Sequence, residues 1–559
     1  MNFFAEIQNQ LVKELHIALE NARDAGKISF DTLPEFVVEV PREKQHGDFA
    51  TNVAMLLAKQ AKMSPRSIAT LIVEYFPAGD DIEKLEIAGP GFINFRLKNR
   101  WLYQVVPEVI ARGCDYGNGD IGAGQKVQVE FVSANPTGLL HMGNARGAAL
   151  GDSIANLLKK AGYDVSREFF INDAGNQIEN FARSLEARYL QQLGQDVPFP
   201  DEGYHGADII DTVKGFIDQV GDKYLSVDEE LRREMLVKYA LDEKLTAIRE
   251  VLGQFGVKYD MWFSEQSLHD SGEINETIKR MNEQGYLVEQ DNALWFKATE
   301  FGEEKDEVLV RSNGIPTYFA ADIAYHRNKF ERGFKWVINL WGADHHGHVS
   351  RMKGAMQALG YDPDKVQVVI MQLVRLFQGG ESLRMSKRTG KYITLSELVE
   401  EVGRDAARYF FVMRGADSHL DFDLDLAKSQ SQDNPVYYVQ YAHARICSMI
   451  RQAEEEGRNI PDAAGVDFTL LHEDAELELV RKLAEFPEIV AGAAQALEPH
   501  RLTRYAHELA GQFHSFYGHC RVLGDDVALS DARITLVLAA RIVLKNVLSL
   551  IGVSAPERM

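Results

Sequence analysis

The residue types and spacing of Leu140-His141-Met142-Gly143-Asn144 suit an anion-binding turn. His141 and Asn144 bring hydrogen-bond donors, Gly143 lets a ligand approach the backbone, and a helix starting here would add free N–H groups that favour phosphate. Far downstream, Arg384-Met385-Ser386-Lys387-Arg388 sets cations in a polar loop flanked by glycines. Between the two, Tyr318 and Asp322 are four apart in TYFAAD and share one face if that stretch is a helical turn.

These residues need a scaffold, and the surrounding pattern supplies one. In VQVEFV, Val127, Val129 and Phe131 alternate with Gln128 and Glu130 as in a strand. The loop SANPTGLLHMGNARG follows, then a stretch whose Leu150, Ile154, Leu157, Leu158 and Ala161 fall on one helical face, then the strand-like REFFIND. Strand, glycine-containing loop, helix and strand predict a parallel βαβ unit with ligands at the carboxyl edge of its strands. A charged, helical stretch over about 178–300 reads as an insertion, after which VLVR, WVINLWG and VQVVIMQLV resume the sheet pattern. Residues 1–115 predict a small α/β domain, 116–435 the sheet domain, and 436–559, with segments such as ITLVLAARIVLKNVLSLI, an all-α helical bundle.

Composition narrows the field. The chain has 559 residues, 45% of them hydrophobic, which excludes global disorder. A net charge of −22 argues against non-specific coating of nucleic acid or anionic membrane, so any polyanion must bind locally. Cys114, Cys447 and Cys520 are scattered and offer neither a disulfide framework nor a zinc site, which fits a cytoplasmic protein. The N-terminus reads as an amphipathic helix rather than a signal peptide, and no apolar run is long enough to span a membrane.

Three motif-like strings carry less than they promise. Gly117 to Gly122 matches GxGxxG but precedes a strand instead of following one, and Gly119 to Lys126 misses the phosphate-loop spacing because Gln125 intervenes. Asp344-His345-His346-Gly347-His348 holds three histidines on one loop, which rarely converge on one metal ion without partners elsewhere; it reads as a polar loop at a strand end.

The first motif resembles the HIGH signature of class I aminoacyl-tRNA synthetases, with Asn144 in the place of the last histidine, and the downstream RMSKR resembles their second signature, KMSKS. VEFVSANPTGLLHMGN, FFINDAGNQI, VLVRSNGIPTYFAADIAYH, WGADHHGH, RMSKRTGKYITL and DNPVYYVQYAHARI, in that order, together with the N-terminal AGPGFINF, resemble a bacterial-type arginyl-tRNA synthetase over nearly the whole chain. That resemblance implies an α/β fold: a Rossmann-like parallel-sheet catalytic domain with a helical insertion, a small N-terminal domain gripping the tRNA elbow, and a helical anticodon-binding bundle. It implies ligation of L-arginine to tRNA(Arg) through arginyl-adenylate, with AMP and pyrophosphate released.

Such chemistry builds charge on the α-phosphate and the departing pyrophosphate, so donors and cations must stand ready there. By resemblance His141, Asn144 and Lys387 are catalytic, and His141, Gly143, Asn144, Met385, Ser386 and Lys387 bind ATP. A guanidinium presents five donors in a planar fork and wants a carboxylate. Asp322 would pair with it, Tyr318 would hydrogen-bond or stack on it, and Asn135 would hold the α-amino or carboxylate end, with Glu130 and His346 as weaker additions. Tyr441 and Arg445 at the start of the bundle would meet unpaired bases and phosphate, and Phe92 and Asn94 would read a base at the elbow. From Tyr441 onward acidic residues outnumber basic ones 17 to 12, so only a concentrated face can hold RNA.

Asn144 keeps a donor but cannot become cationic. The resemblance implies activation that depends on tRNA. A charged planar fork is distinctive enough to be selected without an editing centre, Mg²⁺ is expected with ATP, and the scattered cysteines suit a monomer without zinc. The alternative is a non-catalytic tRNA-binding paralogue. Lys387→Ala separates the two, because an enzyme would lose activation while keeping tRNA affinity.

Overall fold

The computed structural model describes residues 2–41, 43–77, 79–383, 393–458 and 460–559. The chain opens with α1 (Phe3–Asp24), capped by the Asn2 side chain, which accepts from the Ala5 N–H at 3.1 Å. Its Leu11, Leu15, Ala18, Leu19 and Ala22 face the core at helical spacing. β1 (Val38–Glu39), β2 (Phe49–Thr51), α2 (Val53–Ala61), α3 (Pro65–Tyr75), β3 (Ile82–Ala88) and β4 (Phe92–Leu97) follow, and the strands form an antiparallel sheet in the order β1-β2-β4-β3. The turn of the β3–β4 hairpin needs glycine: Gly91 has φ +150, and a Cβ there would meet Pro65 at 2.8 Å. α4 (Val105–Arg112) leads out of this domain.

The second domain is built on β5 (Lys126–Glu130), α5 (Met142–Lys160) and β6 (Asp164–Ile171), the parallel βαβ unit expected from the sequence. Next come α6 (Gly175–Gln192), α7 (Ala207–Val220), α8 (Glu229–Gln254), β7 (Met261–Ser264), α9 (Gln266–Asp270), α10 (Glu273–Glu283), β8 (Leu287–Gln290), β9 (Ala293–Phe296) and β10 (Glu307–Val310). α11 (Tyr318–Glu331), β11 (Trp336–Gly342), α12 (Val349–Ala358) and β12 (Val366–Met371) complete a five-stranded parallel sheet in the order β12-β11-β5-β6-β7. β13 (Val374–Gln378), β14 (Glu381–Leu383), α13 (Leu395–Val402), α14 (Arg404–Val412), β15 (Leu420–Asp423) and α15 (Leu424–Lys428) form a smaller unit beside it.

Two features depart from the sequence reading. The stretch read as an insertion holds α6, α7 and α8, but it also contains β7, which adds to the edge of the central sheet. VLVR does not rejoin that sheet; β10 pairs with β9 in a separate antiparallel sheet with β8. The alternation in β5 is also deceptive. Gln128 and Glu130 are buried, because a parallel strand at the centre of the sheet is covered on both faces, and the polar side is covered by α11. On the other face α5 lies so close that a Cβ at Gly151 would overlap the Phe131 ring.

The chain ends in α16 (Pro435–Glu455), α17 (Asp474–Ala484), α18 (Phe486–Ala496), α19 (His500–His519) and α20 (Val527–Leu550), packed around α19. Arg408 fastens this bundle to the sheet domain. Fully buried, it donates to Asp152 on α5 at 2.6 Å, to the Phe255 carbonyl after α8 at 3.1 Å and to the Ile551 carbonyl after α20 at 2.9 Å. α17 reaches the first domain through Lys44 with Glu478 and Arg481 with Asp48.

Candidate active site

β5 ends at Glu130, and the backbone then makes a turn that only a well-supported structure would hold. The Ser133 N–H donates to the Phe131 carbonyl at 3.0 Å across Val132, whose φ is +70, and Ser133 itself has φ +39. A β-branched residue there costs on the order of 1–3 kcal/mol, a strain typical of functional loops. Ser133 Oγ donates to Glu130 at 2.9 Å and accepts from the Phe170 N–H at 3.1 Å, so the turn is pinned to both β5 and β6. Asn135 follows, exposed, donating to Gln177 at 2.7 Å.

His141 caps the N-terminus of α5. Its Nδ1 accepts from the Gly143 N–H at 3.1 Å, while the Asn144 side-chain oxygen accepts from the His141 N–H at 3.1 Å, closing a capping box. With Nδ1 an acceptor, the proton of the neutral ring belongs on Nε2. Asn144 spends its oxygen on the cap and keeps its amide donors for a ligand. A Cβ at Gly143 would come within 3.0 Å of the His141 ring, so glycine lets the ring lie over the helix end. Arg384, Met385, Ser386, Lys387 and Arg388 lie outside the described residues.

The flanks of that second segment are bound to α5. His141 forms an isolated antiparallel bridge with Thr394, and the Leu395 N–H donates to the Leu140 carbonyl at 2.8 Å. Arg146, buried one turn into α5, donates to the carbonyls of Gln372 at 2.6 Å, Gly415 at 2.8 Å and Ser418 at 2.9 Å. Burial lowers its pKa to about 10, which leaves the guanidinium charged at neutral pH.

Across the sheet edge stands an acidic mouth. Tyr318 and Asp322 occupy the first two turns of α11, 42% and 39% exposed respectively, the latter for its side chain. Thr317 caps that helix, and the Gly175 backbone lies against the Tyr318 ring, where a Cβ would sit 3.1 Å away. Asp322 contacts His348 Nε2 at 3.3 Å, whereas His346 is exposed on the turn before α12. Glu265, at the end of β7, is buried, and burial together with the charges of Asp322 and Asp173 pushes its pKa up to about 7. Asp173 accepts from Ser264 Oγ at 2.6 Å and from the Gln266 N–H at 2.9 Å. Asp322, Glu265 and Asp173 thus concentrate acidic charge beside Tyr318.

Glu265 and Asp173 were not singled out in the sequence, and His348 was read only as part of a polar loop. Asp173 stands in FFINDAGNQI and His348 in the polyhistidine loop, but Glu265 lies within the stretch read as an insertion, where its only signal is its place directly after the short strand MWFS. Among the described residues no group of three or more His, Cys, Asp or Glu side chains is arranged to hold a metal ion.

On the bundle, Tyr441 and Arg445 share a face of α16, with Arg445 donating to the Tyr441 hydroxyl at 3.3 Å. The Arg445 guanidinium also lies 4.2 Å from the centre of the Tyr517 ring on α19, and His514 lies 6.1 Å from Tyr441 and 5.0 Å from Tyr438. Together they form an aromatic and cationic patch of the kind that stacks unpaired bases. In the first domain Phe92 is exposed at the start of β4 and Asn94 is buried.

Comparison with known proteins matches the chain along nearly its whole length. Residues 5–97 match the family model for the arginyl tRNA synthetase N terminal domain, residues 105–411 that for the class I (R) tRNA synthetase catalytic domain, and residues 439–559 that for the DALR anticodon binding domain. The arginine--tRNA ligases of Heliobacterium modesticaldum and Moorella thermoacetica are 65% and 66% identical, each match covering 100% of both chains. Among solved structures, a putative arginyl tRNA synthetase from Campylobacter jejuni superposes with a TM-score of 0.75 at 34% identity, over 83% of this chain and 100% of that one. The arginyl-tRNA synthetase of Thermus thermophilus has the same fold, with a TM-score of 0.75 at 22% identity over 99% of this chain and 100% of that one.

Proposed function

The chain belongs to the arginyl-tRNA synthetase family of class I enzymes, and from that premise we infer how its residues divide the work. It is an arginine--tRNA ligase, which activates L-arginine with ATP and transfers it to tRNA(Arg). In the first step the arginine carboxylate attacks the α-phosphorus of ATP, forming arginyl-adenylate and expelling pyrophosphate. In the second, a terminal ribose hydroxyl of the tRNA attacks the activated carbonyl, and AMP leaves.

In this reading the guanidinium lies in the acidic mouth, paired with Asp322, covered by Tyr318 and approached by Glu265. The ammonium and carboxylate end points back to the end of β5, toward Glu130, Ser133 and Asn135. ATP lies over the N-terminus of α5, where His141 Nε2, the Asn144 amide and free helix N–H groups face developing phosphate charge. Gly143 gives the nucleotide room, and Met385, Ser386 and Lys387 complete the site, with Lys387 neutralising pyrophosphate. Mg²⁺ enters with the ATP substrate, held by phosphate oxygens and water. His346 remains a weaker candidate on the rim, after His348.

The bundle face of Tyr441, Arg445 and Tyr517 takes the anticodon, and the start of β4, where Phe92 is exposed, approaches the elbow; Asn94, buried in the strand between β2 and β3, supports that start instead of reading a base. Activation requires bound tRNA, no editing centre is used, and the enzyme acts as a cytoplasmic monomer. Its three cysteines are free, and among the described residues no helix is long and apolar enough to cross a membrane.

The observation that carries this reading is the meeting of Tyr318, Asp322 and Glu265 at the carboxyl edge of the same sheet that presents His141 and Asn144. Its test is amino-acid-dependent exchange of labelled pyrophosphate into ATP, run with all twenty amino acids with and without tRNA. Exchange with arginine alone, and only with tRNA, is the expected result. Exchange with another amino acid overturns the pocket assignment, and exchange without tRNA overturns the gating.

A further inference from the structure

Beneath the site, α11 and the sheet enclose a row of charge. Asn339 on β11, Glu130 on β5 and Glu168 on β6 are neighbours in register on three adjacent strands. Two carboxylates on adjacent strands repel each other, and α11 supplies a cation for each. Arg332 grips Glu168 with both terminal nitrogens, at 2.6 and 2.8 Å, and Tyr325 adds a hydroxyl at 2.6 Å. Lys329, fully buried, donates to Glu130 at 2.6 Å and to the Asn339 oxygen at 2.7 Å, with the Tyr325 ring 4.1 Å away.

The two carboxylates differ in what they have left to offer. Glu168 is fully buried and takes three donors, whereas Glu130 takes two, from Lys329 and Ser133, and its side chain remains 9% exposed at the end of the central strand. A carboxylate has about four acceptor sites, so Glu130 has capacity for a further cation. The orientation of the row is fixed from beneath. His326 Nδ1 contacts the Asp322 carbonyl at 2.8 Å and must donate to it, so its Nε2 accepts from the Asn339 amide at 3.0 Å. That turns the Asn339 oxygen toward Lys329. One hydrogen-bonded chain therefore runs from the backbone of Asp322 to the carboxylate of Glu130.

We propose that Lys329 is a positioning residue for the α-ammonium group of arginine: it holds the Glu130 carboxylate in one orientation, through contacts with Glu130 and Asn339 inside the sheet–helix interface, and touches no substrate itself. The proposal rests on the reading that Glu130 faces the amino end of arginine. Lysine suits this task because a compact ammonium can donate to two acceptors at once from a closed space. Without it, Glu130 loses the anchor that opposes its contact with Ser133.

The test compares equilibrium binding of arginine with that of 5-guanidinopentanoate, which is arginine without its α-ammonium, to the full chain. Arginine binds more tightly than the analogue to the unsubstituted protein. Glu130→Gln and Lys329→Met each narrow that ratio about tenfold, the scale of one charge-assisted hydrogen bond, while the affinity for the analogue and the KM for ATP change less than about twofold. Equal weakening of both ligands by Lys329→Met marks a purely structural lysine and overturns the proposal. If Glu130→Gln leaves the ratio intact, the premise fails and the proposal with it. Should Lys329→Met fail to fold, Asn339→Leu removes the second anchor and keeps the charge pair; a narrowing of about threefold is expected, and an unchanged ratio overturns the proposal.

Discussion

His141 and Thr394 pair their backbones in an antiparallel bridge, joining the first turn of α5 to the entry of α13 from distant parts of the chain. Thr394 closes a capping box with Glu397 just as His141 does with Asn144, so the bridge joins two capped helix N-termini. The bridge makes the geometry of one signature depend on the segment that carries the other. Arg146 strengthens that dependence, because it grips Gln372 ahead of β13 and Gly415 and Ser418 ahead of β15.

Arg146→Lys tests the coupling. A lysine keeps the charge but cannot reach three carbonyls in different directions, and each buried carbonyl left without a donor costs about 1–3 kcal/mol. The expected result is a lower denaturation midpoint and a kcat for pyrophosphate exchange reduced about tenfold, with the KM for arginine within about twofold. A rise in the KM for arginine instead would place Arg146 in the wrong half of the site.

Asp322→Asn removes the charge proposed to meet the guanidinium and leaves the shape. Charge-assisted hydrogen bonds contribute about 1.5–3 kcal/mol each, so kcat/KM for arginine should fall about 10- to 100-fold while the KM for ATP barely moves. Steady-state exchange kinetics check this, and equal loss for arginine and ATP would contradict the pocket assignment.

Much of this arrangement was legible in the sequence, and the remainder was hidden for identifiable reasons. The β5–α5–β6 unit announced itself by a change of hydrophobic period around a glycine loop; helical spacing put Tyr318 and Asp322 on one face, but only the resemblance of the flanking motifs pointed to them as site residues. Glu265 was hidden because it reaches the site only when β7, beyond three intervening helices, adds to the sheet edge. The left-handed Val132 was equally hidden, since a β-branched residue gives no local sign of that conformation. Alternation in β5 indicated a strand but not that its polar face is buried, because that depends on what α11 brings from far along the chain.

Glu265 predicts a pH dependence. Its pKa is raised to about 7 by burial and by Asp322 and Asp173, so near neutral pH a large fraction is protonated in the free enzyme. Arginine favours the ionised carboxylate, and kcat/KM for arginine should fall as pH drops from 8 to 6, reporting this group of the free enzyme. Glu265→Gln should flatten that limb. The sign for stability is opposite. The folded state binds the proton more tightly than the unfolded chain between the usual carboxylate range and about pH 7, so this residue makes the fold less stable as pH rises through that window, a loss that Glu265→Gln removes.

The proposed tRNA-binding patch around Arg445 can be tested apart from the arginine site. Tyr441 and Tyr517 present ring faces to one guanidinium on the helical bundle, with His514 stacked beside Tyr441, remote in sequence from every residue of the acidic mouth. Stacking of a base on an aromatic side chain contributes about 1–3 kcal/mol, so Tyr517→Ala should raise the KM for tRNA roughly 10- to 100-fold. Arg445→Ala should weaken tRNA binding and reduce the slope of log affinity against log salt by about one, as expected for one lost phosphate contact. Both variants should retain arginine-dependent pyrophosphate exchange when tRNA is saturating. Loss of exchange under those conditions would mean that the bundle face supports the fold of the catalytic domain instead of reading RNA.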